Sequence, residues 1–534
     1  MAEEVNFAWK PCLHPKTFDS YTKNWNELPT LSNIAANTLT ASHSLLESVI
    51  DGLPKNVLTL LLSSSLKSNA YGSMSLLLSR WPEKVLSLKS VVLASAPTRK
   101  NLNDPFEFER YMVRSGAHYT TSLVQIFVDC LRDRKHTELR ILDLRGFPTV
   151  DLTIQYLATH IILAYNEVKQ NQIVEIVQQF KDQGRIPTSE IERFGDLDPI
   201  RTTLPKGAYA VVIDALLQES ESFAELCKAL KICSFRQVTF HMVVNSIEMV
   251  NYCESQTSIL LEILSKDHLK GLALPGRDAW NLGWAVTTPL LISFRQLTSL
   301  DISRNSLDLS GNVHLAELTG MTFRALTQLK RLDLSYNRVG PRLRRLLTPC
   351  ITGLEYLNIE SCELTEIDLI FLSNSIHRRT IIGLNLSKNR VGTYLNSLCS
   401  CIESFASNLQ SLELRDSRFR DEHLQPIMRS LASHSRLSFF DLSENDFGAS
   451  GFICDLIPCL RSLHRFSLLR ISYPLCCYEM PDSEDYVSKR AFAQHATEEL
   501  NKFGNSDEST SWNRTPDNCR TILWTEIFNG IFDD

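Results

Sequence analysis

The chain has 534 residues, 22% of them charged, and a formal net charge of −6. Acids and bases are interspersed without a long like-charge block, which argues against a nucleic-acid surface. With the acidic start Met1-Ala-Glu-Glu-Val5 and no apolar run near ~18 residues, neither a signal peptide nor a membrane span is expected.

Residues 1–29 carry Phe7, Trp9 and Trp25 but no period. From Thr30 the pattern becomes helical, and Leu31, Ile34, Ala35, Thr38 and Leu39 share one helix face. A second helix is expected to begin at Leu53-Pro54, because proline suits the first helical position, and to turn Val57, Leu58, Leu61, Leu62 and Leu66 inward. A third presents Met74, Leu77, Leu78 and Trp81 on one face and stops at Pro82. Residues 30–95 therefore read as an all-helical module.

Residues 138–296 read as irregular, degenerate repeats. Leu139, Leu142 and Leu144 form a first repeat-like strand, followed by a helix from Ile154 to Val168. The polar stretch 169–206 is expected to be an exposed insertion or loop. Further strands are expected at Ala208 to Leu217, around Phe235, Val238 and Phe240, and at Leu269, Leu272 and Leu274.

Residues 297–471 hold the clearest signal. A leucine triplet begins at 297, 329, 354, 381, 409, 437 and 466, in steps of 25 to 32 residues. Three copies run Leu297, Leu300, Ile302 with Asn305; Leu329, Leu332, Leu334 with Asn337; and Leu437, Phe440, Leu442 with Asn445. This is the period of a leucine-rich repeat, in which each coil buries its apolar strand against the next. The Asn, or Cys362 in its place, lies where the chain leaves the strand and can bond the loop's backbone groups. Residues 472–534 read as a C-terminal cap and tail, with a helix from Glu484 to Phe503 and a closing strand from Cys519 to Trp524. The fold class expected is α/β: a leucine-rich repeat solenoid, or horseshoe, with an N-terminal all-helical module and a C-terminal cap.

If the repeat leucines point inward, Asp301, Asp333, Asn358, Asn385, Glu413 and Asp441 point outward on the concave side. Such an acidic and amide stripe suits a basic or donor-rich protein segment. Enzyme signals are lacking: the chain has no glycine-rich phosphate loop, no His-Glu-x-x-His and no nucleophile elbow. Cys454, Cys459, Cys476 and Cys477 lack the paired knuckles of a zinc site, so neither metal nor cofactor is expected. The fourteen cysteines otherwise sit where small core residues would. A reducing cytoplasm is the expected compartment, with the nucleus as a second one.

Three landmarks in order carry a family likeness: Leu53-Pro54-Lys-Asn-Val57-Leu58 through Ser79-Arg80-Trp81-Pro82, then Ile141-Leu-Asp-Leu-Arg145, then Tyr473-Pro474 with Cys477-Tyr478-Glu479. Together they resemble the PRAME family over about residues 30 to 525, with the stretch at 169–206 and the polar tail from Asn505 to Asn518 departing from it. The resemblance implies a substrate-recognition subunit of cullin-2 RING ubiquitin ligases that docks the elongin B/C pair by an N-terminal helix contacting elongin C. Thr30, Leu31, Ala35 and Leu39 match the elongin pattern, and Leu53, Pro54 and Val57 lie where a cullin-2 box would follow. The alternative for the first helix is that its apolar face packs on its neighbours. For the chain, the alternatives are a structural scaffold or a cytosolic module that restrains inflammatory (NF-kappa-B) kinase signalling by occupying a partner, a role associated with one branch of the family.

Overall fold

A computed structural model describes residues 31–94, 105–133, 138–182, 209–234, 239–250, 252–276, 280–478, 487–501 and 521–525. It contains two compact units, one built mainly from residues up to Tyr252 and one mainly from Lys270 onward. In each unit all strands are parallel and follow one another in chain order.

The first unit opens with α1 (Leu31–Ala41), α2 (His43–Val49), α3 (Lys55–Lys67), α4 (Tyr71–Ser79) and α5 (Leu88–Ala94). Pro54 is extended and caps α3 from outside, where its missing N–H leaves no helical bond unmade. Leu58, Leu61, Leu62 and Leu66 of α3 are buried, as are Met74, Leu77 and Leu78 of α4 and the following Trp81. The expectation of an all-helical stretch fails at β1 (Val85–Ser87), which pairs with the start of β2 (Ile141–Thr149). After α6 (Pro105–Arg132), α7 (Asp151–Asp182) carries on well beyond Val168. The expected loop over 169–206 is thus corrected as far as Asp182, because Lys169 to Asp182 contains no glycine or proline and several good helix formers. The rest of that stretch lies outside the described residues.

β3 (Tyr209–Leu217), α8 (Ser220–Cys233) and β4 (Phe240–Met249) complete this unit's sheet. The strand expected around Phe235 begins instead at Phe240 and runs on to Met249, while residues 235–238 lie outside the described set. Strands β2 to β4 are much longer than a repeat strand, and their register slips after Asp143 and after Ile213. At the first slip Gly146 adopts φ +90°, a backbone shape that costs other residues strain. The buried Asp214 accepts from the Gly146 N–H at 2.6 Å and from Asn245 Nδ2 at 2.8 Å, so one side chain ties three strands together. Burial pushes its carboxyl above the usual range, and these donors hold it down.

The second unit follows α9 (Glu254–Ile263) and contains β5 (Gly271–Ala273), β6 (Ser299–Asp301), β7 (Arg331–Asp333), β8 (Tyr356–Asn358), β9 (Gly383–Asn385), β10 (Ser411–Glu413), β11 (Phe439–Asp441), β12 (Leu468–Ser472) and β13 (Thr521–Thr525). Strands β6 to β12 are the seven coils expected from the triplets, and Leu300, Leu332, Leu357, Leu384, Leu412, Phe440 and Leu469 align in register and are buried. Between the strands run α10 (Asn281–Leu291), α11 (Val313–Ala325), α12 (Leu343–Leu347), α13 (Glu366–Asn374), α14 (Leu395–Ser404), α15 (Asp421–Leu431) and a helical run over 449–462. The cap consists of α16 (Lys489–Asn501) and β13; the helix begins at Lys489 and not at the expected Glu484, and residues 502–503 lie outside the described residues. Trp524 of β13 stacks on Tyr473 at 4.8 Å and meets Phe452 and Phe492, so aromatic rings cover the last coil's core.

Coils are joined by the repeat asparagines. Asn389 Nδ2 donates to Ile359 O at 2.7 Å in the preceding coil and to Leu386 O at 3.0 Å in its own. Its Oδ1 accepts from the Cys362 and Leu364 N–H groups at 2.9 and 3.2 Å. Asn337 and Asn445 repeat the arrangement. Cys362, in the Asn place, donates its thiol to Leu334 O at 3.2 Å. Two buried histidines add cross-coil bonds: His377 Nε2 donates to Leu347 O at 3.3 Å while its Nδ1 accepts from the Leu354 N–H at 3.1 Å, and His434 Nε2 donates to Ile402 O at 3.0 Å.

Asn389→Ala leaves two carbonyls and two N–H groups short of a partner and should cost roughly 2–4 kcal/mol. Hydrogen exchange should show the Cys362 and Leu364 amides losing protection, and unchanged protection would refute the ladder. Cys362→Ala, which removes one weak thiol bond, should cost less. Burial holds His377 and His434 below their ordinary value of 6.5. The unfolded chain therefore takes up protons first, so the stabilisation is complete above pH 6.5 and is lost as pH falls through it. Urea midpoints should drop between pH 7.5 and 5.5, and drop less in His377→Gln/His434→Gln.

Candidate interaction surfaces

Helix α1 turns its small and polar side inward. Ala36 and Thr40 are buried, Thr40 Oγ1 meets Ser64 Oγ of α3 at 3.0 Å, Ser64 Oγ donates to Asn37 Oδ1 at 2.6 Å, and Ser73 Oγ of α4 donates to Thr40 O at 2.7 Å. This hydroxyl seam fixes the helix without using its apolar stripe. Leu31 is 83% exposed, Ile34 is 48% exposed, Ala35 is exposed and Leu39 is half-buried. Among the described residues, Leu31, Ile34 and Ala35 of this face do not pack on neighbouring helices, and Leu39 is partly covered. Thr30 lies outside the described residues. Leu53 and Val57 are half-buried and Pro54 is exposed at the start of α3. Leu45 and Val49 of α2, 44% and 36% exposed, add apolar surface that the sequence analysis missed. Their signal was present in Leu45, Leu46, Val49 and Ile50, a short helix apolar on two sides when its core needs one.

The stripe expected on the open face of the repeats is corrected. Asp301, Asn358, Asn385, Glu413 and Asp441 are buried and Asp333 is half-buried. The Asp and Asn members are occupied by the turn that follows each strand: Asp301 accepts from the Ser303 N–H, Asp333 from Ser335, Asn358 from Glu360, Asn385 from Ser387 and Asp441 from Ser443, at 2.8 to 3.1 Å. Asn358 Nδ2 also donates to Asp333 at 2.7 Å, and Arg470 pairs with Asp441 at 3.2 Å. Burial pushes the Asp333 carboxyl up, Ser335 and Asn358 oppose that, and Glu360 adds to it. Tyr356 lies across Gly383, where a Cβ would stand 2.7 Å from its ring, and covers part of the stripe. Alternation gave the direction of these side chains but not what lies over them.

The more accessible chemistry lies just past the strands, around Glu360. Its Oε1 accepts from Tyr336 Oη at 2.7 Å and from Arg415 at 2.7 Å, with Lys388 Nζ at 3.6 Å. Arg415 reaches on to Glu444 at 3.6 Å, and Arg304 lies 4.9 Å above the Tyr336 ring. Burial would raise the Glu360 carboxyl, but Arg415, Tyr336 and Lys388 outweigh it and hold the group below its ordinary value. Six coils thus contribute to one network of paired charges with an aromatic ring. Such a surface offers hydrogen bonds and charge pairing. Among the described residues, no group of three His, Cys, Asp or Glu side chains is placed to hold a metal ion, and no helix is long and apolar enough to cross a membrane.

Reversing Asp333, Glu413 and Asp441 to Lys together should therefore unfold the repeats rather than only weaken partner capture, because it strands turn N–H groups and buries like charges. Asp333→Asn keeps the acceptor for Ser335 and should stay within about 1 kcal/mol of the parent. Circular dichroism with urea titration separates these outcomes, and a folded triple variant would restore the stripe as a free surface.

Comparison with known proteins agrees with this architecture. Over 495 residues the chain is 22% identical to leucine-rich repeat-containing protein 14 of Xenopus laevis, spanning 89% of this chain and 94% of that one. It is 27% identical to the Bos taurus protein of the same name over 240 residues, 42% of this chain and 46% of the other. A crystal structure of the leucine-rich repeat-containing protein LegL7 from Legionella pneumophila aligns with a TM-score of 0.34 at 15% identity, covering 55% of this chain and 86% of that one. Residues 209–513, more than half of the chain, match the PRAME C-terminal domain. The chain is a leucine-rich repeat protein that belongs to the PRAME family.

Proposed function

We propose that this chain is a non-catalytic substrate-recognition subunit of a cullin-2 RING ubiquitin ligase, docking elongin C through α1 and capturing a protein substrate on the open face of the repeats. The coarser statement rests on family: leucine-rich repeat relatives are typically protein-interaction modules. The finer reading is supported above all by the orientation of α1, whose Leu31, Ile34 and Ala35 are turned to solvent with Leu39 half-buried, while polar contacts anchor the other side. An exposed leucine on a fixed helix fits a preformed apolar pocket, and Ala35, which no internal packing requires to be small, permits close approach of a partner helix. Leu53, Pro54 and Val57 are the cullin-facing residues in this reading, and the Glu360 network supplies the polar part of the substrate surface.

Leu31→Ala should weaken elongin B/C binding by about 2 kcal/mol, roughly thirtyfold, because anchors of this kind carry most of an interface's energy. Its exposure means that folding should be unaffected. Reconstitution of the purified full chain with elongin B/C and cullin 2 should show Leu31→Ala losing both, and Pro54→Ser/Val57→Ser losing cullin 2 while keeping elongin. If the wild-type chain bound neither, the ligase reading would fall and restraint of inflammatory signalling by occupancy would be the better account.

A further inference from the structure

The helical side of the second unit is uneven in a way that the repeat does not require. On α14 the fully exposed residues are Asn396, Ser400 and Glu403, and on α15 they are Glu422, Gln425 and Arg429, all polar. The earlier helices expose large apolar side chains at comparable places: Leu282 at 82% and Val286 on α10, Met321 at 65% on α11, Ile367 at 62% and Ile370 on α13. Among the described residues of this unit, no large apolar side chain between 383 and 477 is as exposed. A solenoid places successive helices equivalently, so the contrast comes from the side chains chosen and not from the fold. Clustered exposed apolar side chains on neighbouring helices mark an interaction site.

The helices form one surface. Trp284 Nε1 of α10 donates to Thr319 Oγ1 of α11 at 2.8 Å. Gly320 of α11 lies so close to α12 that a Cβ would stand 2.8 Å from Arg345 O, and the Leu343 N–H of α12 donates to Asp368 of α13 at 3.2 Å. Charge on this side also departs from the chain's net −6. Arg295, Arg324, Arg344 and Arg379 are exposed and have no carboxylate partner among the described residues, whereas Glu317 is paired with Arg345 at 3.1 Å and Glu366 accepts from Ser397 at 2.7 Å. A basic rim around an apolar centre repels a second copy of itself and attracts acids.

We infer that the face formed by α10, α11 and α13 docks an amphipathic helix of a partner protein whose leucine-type stripe is edged by Asp or Glu. Apolar anchors at helical spacing would seat on Leu282, Met321, Ile367 and Ile370, and the acidic edges would meet Arg324 and Arg344. The site is independent of α1 and of the open sheet face, so it gives the chain a second protein partner.

The test uses the full chain and two fluorescent synthetic helical peptides with the same leucine stripe, one edged by Glu and one by Lys, read by polarisation. The Glu-edged peptide should bind at least tenfold tighter than the Lys-edged one. Met321→Ser/Ile367→Ser should lose at least tenfold for it. Arg324→Glu/Arg344→Glu should lose the Glu-edged peptide and gain the Lys-edged one, an exchange that misfolding could not produce. Equal binding of both peptides, or binding to neither, would overturn the inference. So would a dimer in sedimentation that Met321→Ser/Ile367→Ser dissolves, since a second copy would then own the face. Capture by phosphatidylserine vesicles, lost in the same variant, would likewise overturn it in favour of a lipid surface.

Discussion

A parallel strand that ends after three residues leaves N–H and C=O groups with no ladder partner, and such groups cannot be buried unpaired. The second unit meets this need with side chains at two places in most coils. The repeat asparagines bridge each strand exit to the coil before it. An Asp or Asn inside most of the strands closes the turn that follows. Both sets are buried, so the cost of removing one is the desolvation of its orphaned partners, which is why a single amide can matter as much as a leucine. The first unit solves the same problem differently: Asp214 bonds the Gly146 N–H at a slipped register and steadies Asn245 on the next strand.

This constraint decides which surfaces are available to a partner. A carboxylate already accepting from its own turn and from the neighbouring Asn358, as Asp333 does, has little hydrogen-bonding capacity left to offer. Binding chemistry on the sheet's open face therefore moves past the strand ends to Tyr336, Glu360, Lys388 and Arg415. These residues are paired with one another and still partly accessible, so a partner meets preorganised charges whose geometry costs nothing further to fix.

The repeat array was legible because its signal is redundant: seven triplets at a near-constant step state the same fold seven times. What was not legible depended on single, unrepeated features. β1 has three residues and no alternation to betray it, and its strand character comes from pairing with β2. The continuation of α7 past Val168 did carry apolar residues at helical spacing, Ile173, Ile176, Val177 and Phe180, but the surrounding Gln, Glu and Lys read as loop polarity although their intrinsic preference is helical. The stripe on the open face was read wrongly for access, since its members are buried or half-buried. A period of two fixes which side a residue faces and says nothing about a tyrosine lying across its neighbour.

The same limit applies to α1, with the opposite result. Periodicity shows that Leu31, Ile34, Ala35 and Leu39 share a face, and in most globular helices that face would be the buried one. Here the buried side is Ala36 and Thr40, and hydrogen bonds linking Thr40 and the exposed Asn37 to Ser64 and Ser73 supply contacts that apolar packing would otherwise provide. A polar seam is weaker per area than a leucine seam, since each exchanged hydrogen bond contributes about 1 kcal/mol at most beyond water. The helix is nevertheless held in a single orientation, because hydroxyl and amide geometry is directional where apolar contact is not. Directional anchoring on one side leaves the other side free to be apolar without being drawn into the core. An apolar surface that is both rigid and unspent on folding is what a docking helix requires.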